Sequence, residues 1–339
     1  MRGTRRDVMR GLAALGLIPV LRRGGQTRGA AAQGQPEKVR LDYAYYNPSS
    51  LVLRRFGWLE EALQEQGIGV EWVLSAGSNK ANEYLRSEAV DFGSTAGAAA
   101  LLARANGSPI KTVYIYSKPE WTALVVPADS PLTAVEELKG KKVAATKGTD
   151  PYFFLLRSLD AHGLSQADVE VINLQHADGR VALERGEVDA WAGLDPHMAA
   201  SELEVGSKLL YRNIDFNTYG FLNAREAFIT EYPELTATVL EQYERARAWI
   251  LEHPEEAATI LAEEAKISQE VAERELFERT VLDIDPVPGE THAEVLRAVI
   301  PIMVAENQVR PGTDLEAVLS ELLAPEIAAG VVAAATPTA

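Results

Sequence analysis

Three junctions in this chain set hydroxyl, glycine and proline residues where an apolar run gives way to an amphipathic one. They are Ser94-Thr95-Ala96-Gly97 after residues 90–93, Lys147-Gly148-Thr149-Asp150-Pro151 after 142–146, and Asp195-Pro196-His197 after 190–194. Each reads as a strand running into a helix. The first helical turn leaves backbone N–H groups without partners and carries the positive end of the dipole, so it suits a small anion. Proline fits the first helical position at 151 and 196. In α/β sheets ligands collect at the carboxyl ends of strands, where all three junctions lie. The hydroxyls of Ser94, Thr95 and Thr149 can cap their own helices or donate to a solute, and capping alone accounts for any one junction. Asp150 and Asp195 resist the anion reading, because a capping carboxylate uses the N–H groups and adds negative charge. Either they cap behind the pocket, or a solute with a cationic or neutral polar head meets them.

Aromatic residues offer the rest of a pocket. Tyr43, Tyr45 and Tyr46 end the first apolar run and Asn47-Pro48-Ser49 opens the next segment. By strand alternation Tyr43 and Tyr45 share a face and Tyr46 takes the other; Tyr43 reads as core. Trp121 and Thr122 precede a crossing strand, Tyr219 lies in the returning one, and Tyr152 follows Pro151, placed to wall the pocket. Trp191 reads as core. His162, His176, His197, His253 and His292 show no metal-ligating spacing within a helix. There is no cysteine, so no cofactor or metal is expected. His176-Ala177-Asp178 reads as a turn ahead of a helix rather than a ligand set. No G-x-S-x-G, G-x-x-x-x-G-K or G-x-G-x-x-G motif occurs.

The elements that must position these residues alternate. Strands are expected at 39–45, 70–74, 90–93, 113–116 and 123–126, with helices at 49–66, around Tyr84 and at 96–105. The pattern restarts with strands at 142–146, 169–174, 188–192 and 208–211 between helices at 151–162, 178–185 and 196–204. A return strand follows near 219–222, then helices at 234–252, 254–264, 268–279, 292–306 and 315–323. Strands alternating with helices predict an α/β fold with a largely parallel sheet. The expected division is lobe 1 from 38–125 and 220–325, lobe 2 from 126–219, two crossover strands between them, and a flexible Ala/Pro/Thr tail at 326–339.

Residues 1–32 read as an export leader. Arg5-Arg6 precede an apolar run at 11–21, too short to span a bilayer, and Ala30-Ala31-Ala32 offers a small-residue cleavage site. This is the pattern of the twin-arginine route. The chain holds 33 Lys+Arg and 49 Asp+Glu; the leader takes seven arginines and one aspartate, leaving 26 basic and 48 acidic residues, a net −22. Such a field repels nucleic acid and anionic membrane surfaces.

Three blocks then carry a resemblance. Ala134-Val135-Glu136-Glu137-Leu138-Lys139-Gly140-Lys141-Lys142-Val143-Ala144 with Lys147-Gly148-Thr149, Ala182 to Trp191 with Asp195-Pro196, and Leu85-Arg86-Ser87-Glu88 with Val90 to Thr95 resemble the aliphatic sulfonate, taurine and nitrate group of ABC-transporter substrate-binding proteins. The resemblance runs from about residue 39 to 308. It implies a two-lobe, periplasmic-binding-protein-like (type II) α/β fold that closes on a small anionic organosulfur solute and delivers it to a membrane permease driven by an ATPase. The protein would then be a monomer outside the cytoplasmic membrane, with no enzymatic activity. It also favours ligand roles for Thr95 and Thr149 over plain capping. The expected ligand-binding set is Tyr45, Tyr46, Asn47, Ser94, Thr95, Ala96, Trp121, Thr122, Gly148, Thr149, Tyr152, Asp195, His197 and Tyr219. The alternatives are a receptor for a zwitterionic or heterocyclic solute, and a biosynthetic enzyme on the same fold.

Overall fold

The computed structural model describes residues 34–335; the expected leader at 1–32 lies outside them. The first sheet opens with β1 (Lys38–Tyr43), and the chain continues through α1 (Pro48–Phe56) and α2 (Trp58–Gln64) to β2 (Gly69–Leu74). Next come α3 (Ser78–Arg86), β3 (Phe92–Ala96), α4 (Gly97–Ala105) and β4 (Ile110–Pro119). Parallel pairing joins β1 to β2 and β3, in register from Lys38 opposite Gly69 to Tyr43 opposite Leu74. Every residue of β3 is buried, as in a strand covered on both faces. Where one helix was expected over 49–66 there are two. Gly57 takes the left-handed conformation (φ 67°) and its N–H closes α1 on the Leu53 carbonyl, a stop that glycine adopts without the penalty of a Cβ.

The second sheet holds β5 (Leu124–Val126), β6 (Lys142–Ala145), β7 (Glu170–Asn173), β8 (Ala190–Ala192) and β9 (Lys208–Tyr211) in the order β7-β6-β8-β5-β9. Its helices are α5 (Asp150–Ala161), α6 (His176–Glu184) and α7 (His197–Val205). The chain returns to the first sheet in β10 (Gly220–Arg225), antiparallel to both β3 and β4. Helices α8 (Glu226–Glu231), α9 (Pro233–Glu252), α10 (Pro254–Ala265) and α11 (Gln269–Glu273) follow, then a π turn (Arg274–Glu278) and β11 (Thr280–Val281). Last come α12 (Glu290–Arg297), α13 (Ile300–Ala305), α14 (Leu315–Leu322) and α15 (Pro325–Ala335). The first sheet is ordered β11-β4-β10-β3-β1-β2.

Three expectations change. Leu124–Val126 pairs with β8 and β9, so the chain leaves the first lobe before residue 124 rather than at 125. The crossings themselves, residues 120–123 and 212–219, are not strands; only a short 3₁₀ turn (Ile214–Phe216) interrupts the second. Residues 326–335 of the expected tail instead lie in the helix α15, and 336–339 lie outside the described residues: Pro325 opens the helix, and Ala328 and Val331 are buried in the same apolar cluster as Val239, Leu240 and Tyr243 of α9. An Ala/Val stretch with a partner face folds, whatever its compositional simplicity. A second cluster runs from Ala98 and Leu101 of α4 through Phe221, Leu296 and Met303 to Phe153 and Phe154 of α5, joining the two lobes on the hinge side.

Candidate functional site

The carboxyl ends of both sheets face one another, and between them lies a cavity of about 170 Å³. Tyr45, Tyr46, Leu74, Ser75 and Ala76 line it from the first lobe. Gln175, His176, Ala177, Leu194, Asp195, Pro196 and His197 line it from the second. Four of the residues expected at the site are here: Tyr45, Tyr46, Asp195 and His197.

Beneath Tyr46 sits a buried polar network in which Asp42 Oδ2 alone of the carboxylate's two oxygens has no partner among the described residues. Asp42 Oδ1 accepts from both the backbone N–H and the hydroxyl of Ser94, each at 2.8 Å. Asn47 Nδ2 donates to Ser94 Oγ at 2.8 Å, and Asn47 Oδ1 caps α1 through the Ser50 N–H. The Tyr46 hydroxyl donates to the Ser94 carbonyl at 3.0 Å. Thr95 is not at a helix start: it lies in β3, paired opposite Phe221, and its Oγ1 accepts from Asn223 Nδ2 at 2.7 Å. Ala96 ends the same strand, its N–H given to Ser78 Oγ. Burial pushes the Asp42 carboxyl up to about 6, against the pull of the Ser75 hydroxyl and the Ser94 donors. Asn47, Ser94, Thr95 and Ala96 thus hold the floor together and have little left to offer a solute.

The hinge is clamped by Asp150. Its Oδ2 accepts from the Thr218 N–H (2.7 Å) and Trp121 Nε1 (3.0 Å), and its Oδ1 from Thr218 Oγ1 (2.7 Å). One fully buried carboxylate therefore ties both crossings to the start of α5 instead of capping it; the cap position belongs to Thr149. Thr122 N–H donates to Asn217 Oδ1 at 3.0 Å, while Thr122 Oγ1 is buried without a partner among the described residues. Trp121 meets Tyr46 edge-on, ring centres 5.9 Å apart.

The other expected residues lie elsewhere. Thr149 Oγ1 is spent on the Thr146 carbonyl at 2.6 Å. Gly148 borders a separate, shallower groove of about 580 Å³ with Asn79, Asn82 and Arg86. Tyr152 is packed into the apolar core with its hydroxyl toward Gln166 and Gln308, away from the lining of this cavity. Tyr219 stacks edge-on with His292, 4.6 Å between centres. Proximity along the chain put these residues on the list; the direction of each side chain took them off it.

Asp195 answers the question its position raised. It is fully buried, and Oδ1 accepts from the Ala199 N–H at 2.8 Å, capping α7. Both oxygens also meet Arg279 Nη1, at 3.1 and 3.2 Å, and Arg279 Nη2 reaches Glu202. Burial pushes the Asp195 carboxyl up to about 6 although Arg279 opposes it. Arg279 stands just ahead of β11, on the first lobe, so this pair also bridges the lobes.

Sequence reasoning missed Gly77, Gln175 and the cavity role of His176. α3 starts after Gly77 and α6 after Gln175, and neither helix receives a side-chain cap. The two starts come from opposite lobes and meet: a Cβ on Gly77 would lie 2.8 Å from His176 Nε2. His176 is buried, its Nδ1 is 3.1 Å from Thr146 Oγ1, and Nε2 and Gln175 Oε1 have no partner among the described residues. Burial lowers His176 to about 3, with His197 adding to it, and His197 to about 4, so both rings are neutral near pH 7. The available signal was Gln175 itself, a poor capping residue at a strand-to-helix junction.

Among the described residues no group of His, Asp and Glu is placed to hold a metal, and no helix is long and apolar enough to cross a membrane.

A family model described as NMT1/THI5 like matches residues 62–257. An Escherichia coli (strain K12) protein whose name assigns it to aliphatic sulfonate binding is 33% identical over 217 residues, 63% of this chain and 66% of that protein, so the chain spans just under two thirds of that relative. A Bacillus subtilis (strain 168) protein of the same name is 29% identical over 241 residues, 70% of this chain and 73% of the relative. The crystal structure of the periplasmic aliphatic sulphonate binding protein from Escherichia coli superposes with a TM-score of 0.72 at 26% identity, covering 86% of this chain and 93% of that one. With two sheets facing a common cleft and a family match over more than half of its length, the chain belongs to the NMT1/THI5-like family and has a periplasmic-binding-protein-like α/β fold.

Proposed function

We propose that this protein is the extracytoplasmic solute-binding component of an ABC importer. In this reading it closes on one small, short-chain sulfonate without turning it over and presents it to a permease coupled to a cytoplasmic ATPase. The observation that carries the reading is the meeting of two helix starts without side-chain caps, α3 and α6, from opposite lobes at the edge of the cavity. Free N–H groups and two positive dipole ends favour an anion there, and an anion bound by both lobes stabilises their closure. Tyr45, Leu74, Ala76 and Leu194 supply apolar wall for a short alkyl chain, and the cavity's size suits a few heavy atoms rather than a large ring system. The one carboxylate on the wall, Asp195, is neutralised by Arg279. Relatives named for aliphatic sulfonates support the same class. Export by the twin-arginine route, with residues 1–32 removed, belongs to this proposal, as does a monomeric state.

Calorimetry with ethanesulfonate, taurine, sulfate and nitrate tests it, with mass spectrometry of the solute afterwards. One-to-one saturable binding of a sulfonate, recovered unchanged, is expected. Chemical conversion of the bound sulfonate, or preference for sulfate or nitrate, would remove the reading.

A further inference from the structure

Glu275 and Arg279 stand four positions apart, in and just after the π turn that leads from α11 into β11. Opposite charges at that spacing share a face of a helical turn and ordinarily pair. Here they do not. Arg279 reaches across to the second lobe, where Nη1 meets both oxygens of Asp195 at 3.1 and 3.2 Å and Nη2 meets Glu202. Glu275 is left behind, 3% exposed, with Oε2 lacking a partner among the described residues. One guanidinium thus stands among three carboxyl groups and serves the two on the other lobe. Burial first, and then the Asp195 charge, favour the protonated form of Glu275, while Arg279 opposes them. A π turn is rare and recurs at functional sites. The cavity is walled by both lobes, which touch where Gly77 meets His176, so entry of a solute requires them to part.

We propose that Arg279 exchanges acceptors as the lobes move: Asp195 and Glu202 hold it in the closed form seen here, and Glu275 takes it in the open form. The inference rests on the solute-receptor reading above and adds the device that sets the balance between the two forms. The exchange asks only for a turn of the guanidinium within its own segment. Arg279 is then never buried without a carboxylate, the situation that makes breaking such a pair costly. The two arrangements differ by one proton: Glu275 keeps it while Arg279 faces the second lobe and releases it on pairing, so closure takes a proton up. Nothing else among the described residues competes for Glu275. Arg274 of the same turn pairs with Glu278, and Arg212 at the hinge with Glu120. Of the elements packed on the turn, β11 carries no charge, and α11 has only Glu270, exposed, and Glu273, bonded by Gln269. α10 keeps Glu255 and Glu256 exposed and gives Glu263 and Glu264 to Arg55 and Arg54.

Small-angle scattering of the solute-free protein, and calorimetry with ethanesulfonate at pH 7 in buffers of different ionisation enthalpy, compare wild type with Glu275→Gln and Glu202→Gln. Glu275→Gln copies the neutral acid of the closed form and removes the acceptor of the open one. It is expected to shrink the solute-free radius of gyration, to tighten ethanesulfonate about three- to tenfold by raising the closed population, and to reduce proton uptake on binding. Glu202→Gln removes a closed-form partner away from the cavity lining, and is expected to weaken binding by a similar factor while keeping the proton uptake. Weaker or unchanged binding in Glu275→Gln, with melting confirming its fold, overturns the exchange and leaves the receptor reading intact. So does proton uptake equal to that of wild type. Should Glu275→Gln not fold, unchanged affinity in Glu202→Gln overturns it instead. Failure of ethanesulfonate to bind any of the three proteins strikes the sulfonate reading alone; the exchange is then decided by scattering, where a radius unmoved by Glu275→Gln overturns it.

Discussion

On the first-lobe side of the cavity Asp42 Oδ1, Asn47, Ser94 and Thr95 are buried and bonded to each other or to Asn223, while Asp42 Oδ2 and Ser75 Oγ have no partner among the described residues. On the second-lobe side Gln175 Oε1 and His176 Nε2 have no partner among the described residues. Both sides stand at strand ends and both are rich in polar atoms. They differ in what those atoms have left to give. A hydroxyl that already serves a neighbouring carboxylate strengthens the floor of a site and contributes nothing to a solute, whereas an unpartnered ring nitrogen costs stability in a residue of the cavity wall. The two sides should therefore respond differently to substitution: the first in stability, the second in affinity.

The largest effect is expected where the lobes share a charge. Arg279→Met leaves Asp195 buried and unpaired, next to Glu202 and the buried Glu275, whose carboxyl burial and Asp195 already hold well above its usual range. A loss of about 3–5 kcal/mol follows, read by denaturant unfolding; a change under about 1 kcal/mol would show that the pair bears no weight in the fold.

Next is the first-lobe floor. Asn47→Ala removes both the cap of α1 and the bond to Ser94, and about 2 kcal/mol of stability should go with them. Affinity for the best-bound sulfonate should stay within about threefold. A large loss of affinity at unchanged melting temperature would place Asn47 on the solute and erase the contrast.

Acidification sharpens the other side. His176 titrates near 6.5 when unfolded but near 3 when folded, so the unfolded chain takes up protons first and stability is lost as pH falls below about 6.5. That amounts to about 1.4 kcal/mol per pH unit, or about 2 kcal/mol between pH 7 and 5. Asp42 and Asp195, pushed up to about 6, act in the opposite sense, because the folded chain binds their protons first. The observable is thus the difference between wild type and His176→Phe: the variant should lose less stability over that range. Parallel pH curves for the two proteins would mean the ring is not held neutral.

Gly77→Ala tests the meeting of the helix starts. Its backbone is extended (φ 161°), which any residue adopts, so the glycine is required by the approach of His176 from the other lobe and of Asn79 Oδ1 from its own helix rather than by conformation. The added methyl should hold the lobes apart and weaken sulfonate binding about tenfold, with partial recovery in Gly77→Ala/His176→Ala measured as a double-mutant cycle. Strictly additive effects would separate the two residues.

The smallest effect belongs to Thr149. Because its hydroxyl serves the Thr146 carbonyl, Thr149→Val should cost about 1 kcal/mol of stability and leave affinity within about twofold. A loss of ten- to a hundredfold in affinity would restore it to the solute.

Much of this was present in the residue order. Apolar runs four to six long, separated by amphipathic ones, determined the strands and helices of both lobes, because periodicity states which face is buried. The restart after Pro127 announced a second sheet, and the absence of cysteine removed thiol chemistry outright. The junctions at 94–97, 147–151 and 195–197 were also legible as strand ends. What the order left open was direction and partnership. Whether Thr95 serves Asn223 or a solute depends on β10 returning from more than a hundred residues away. Whether Asp195 is a free charge depends on Arg279, still further along the chain. Whether α15 folds depends on α9 offering it an apolar face. Each is a long-range contact whose energy comes from burial and from pairing groups taken out of water, and neither term is written in the spacing of neighbours along a chain.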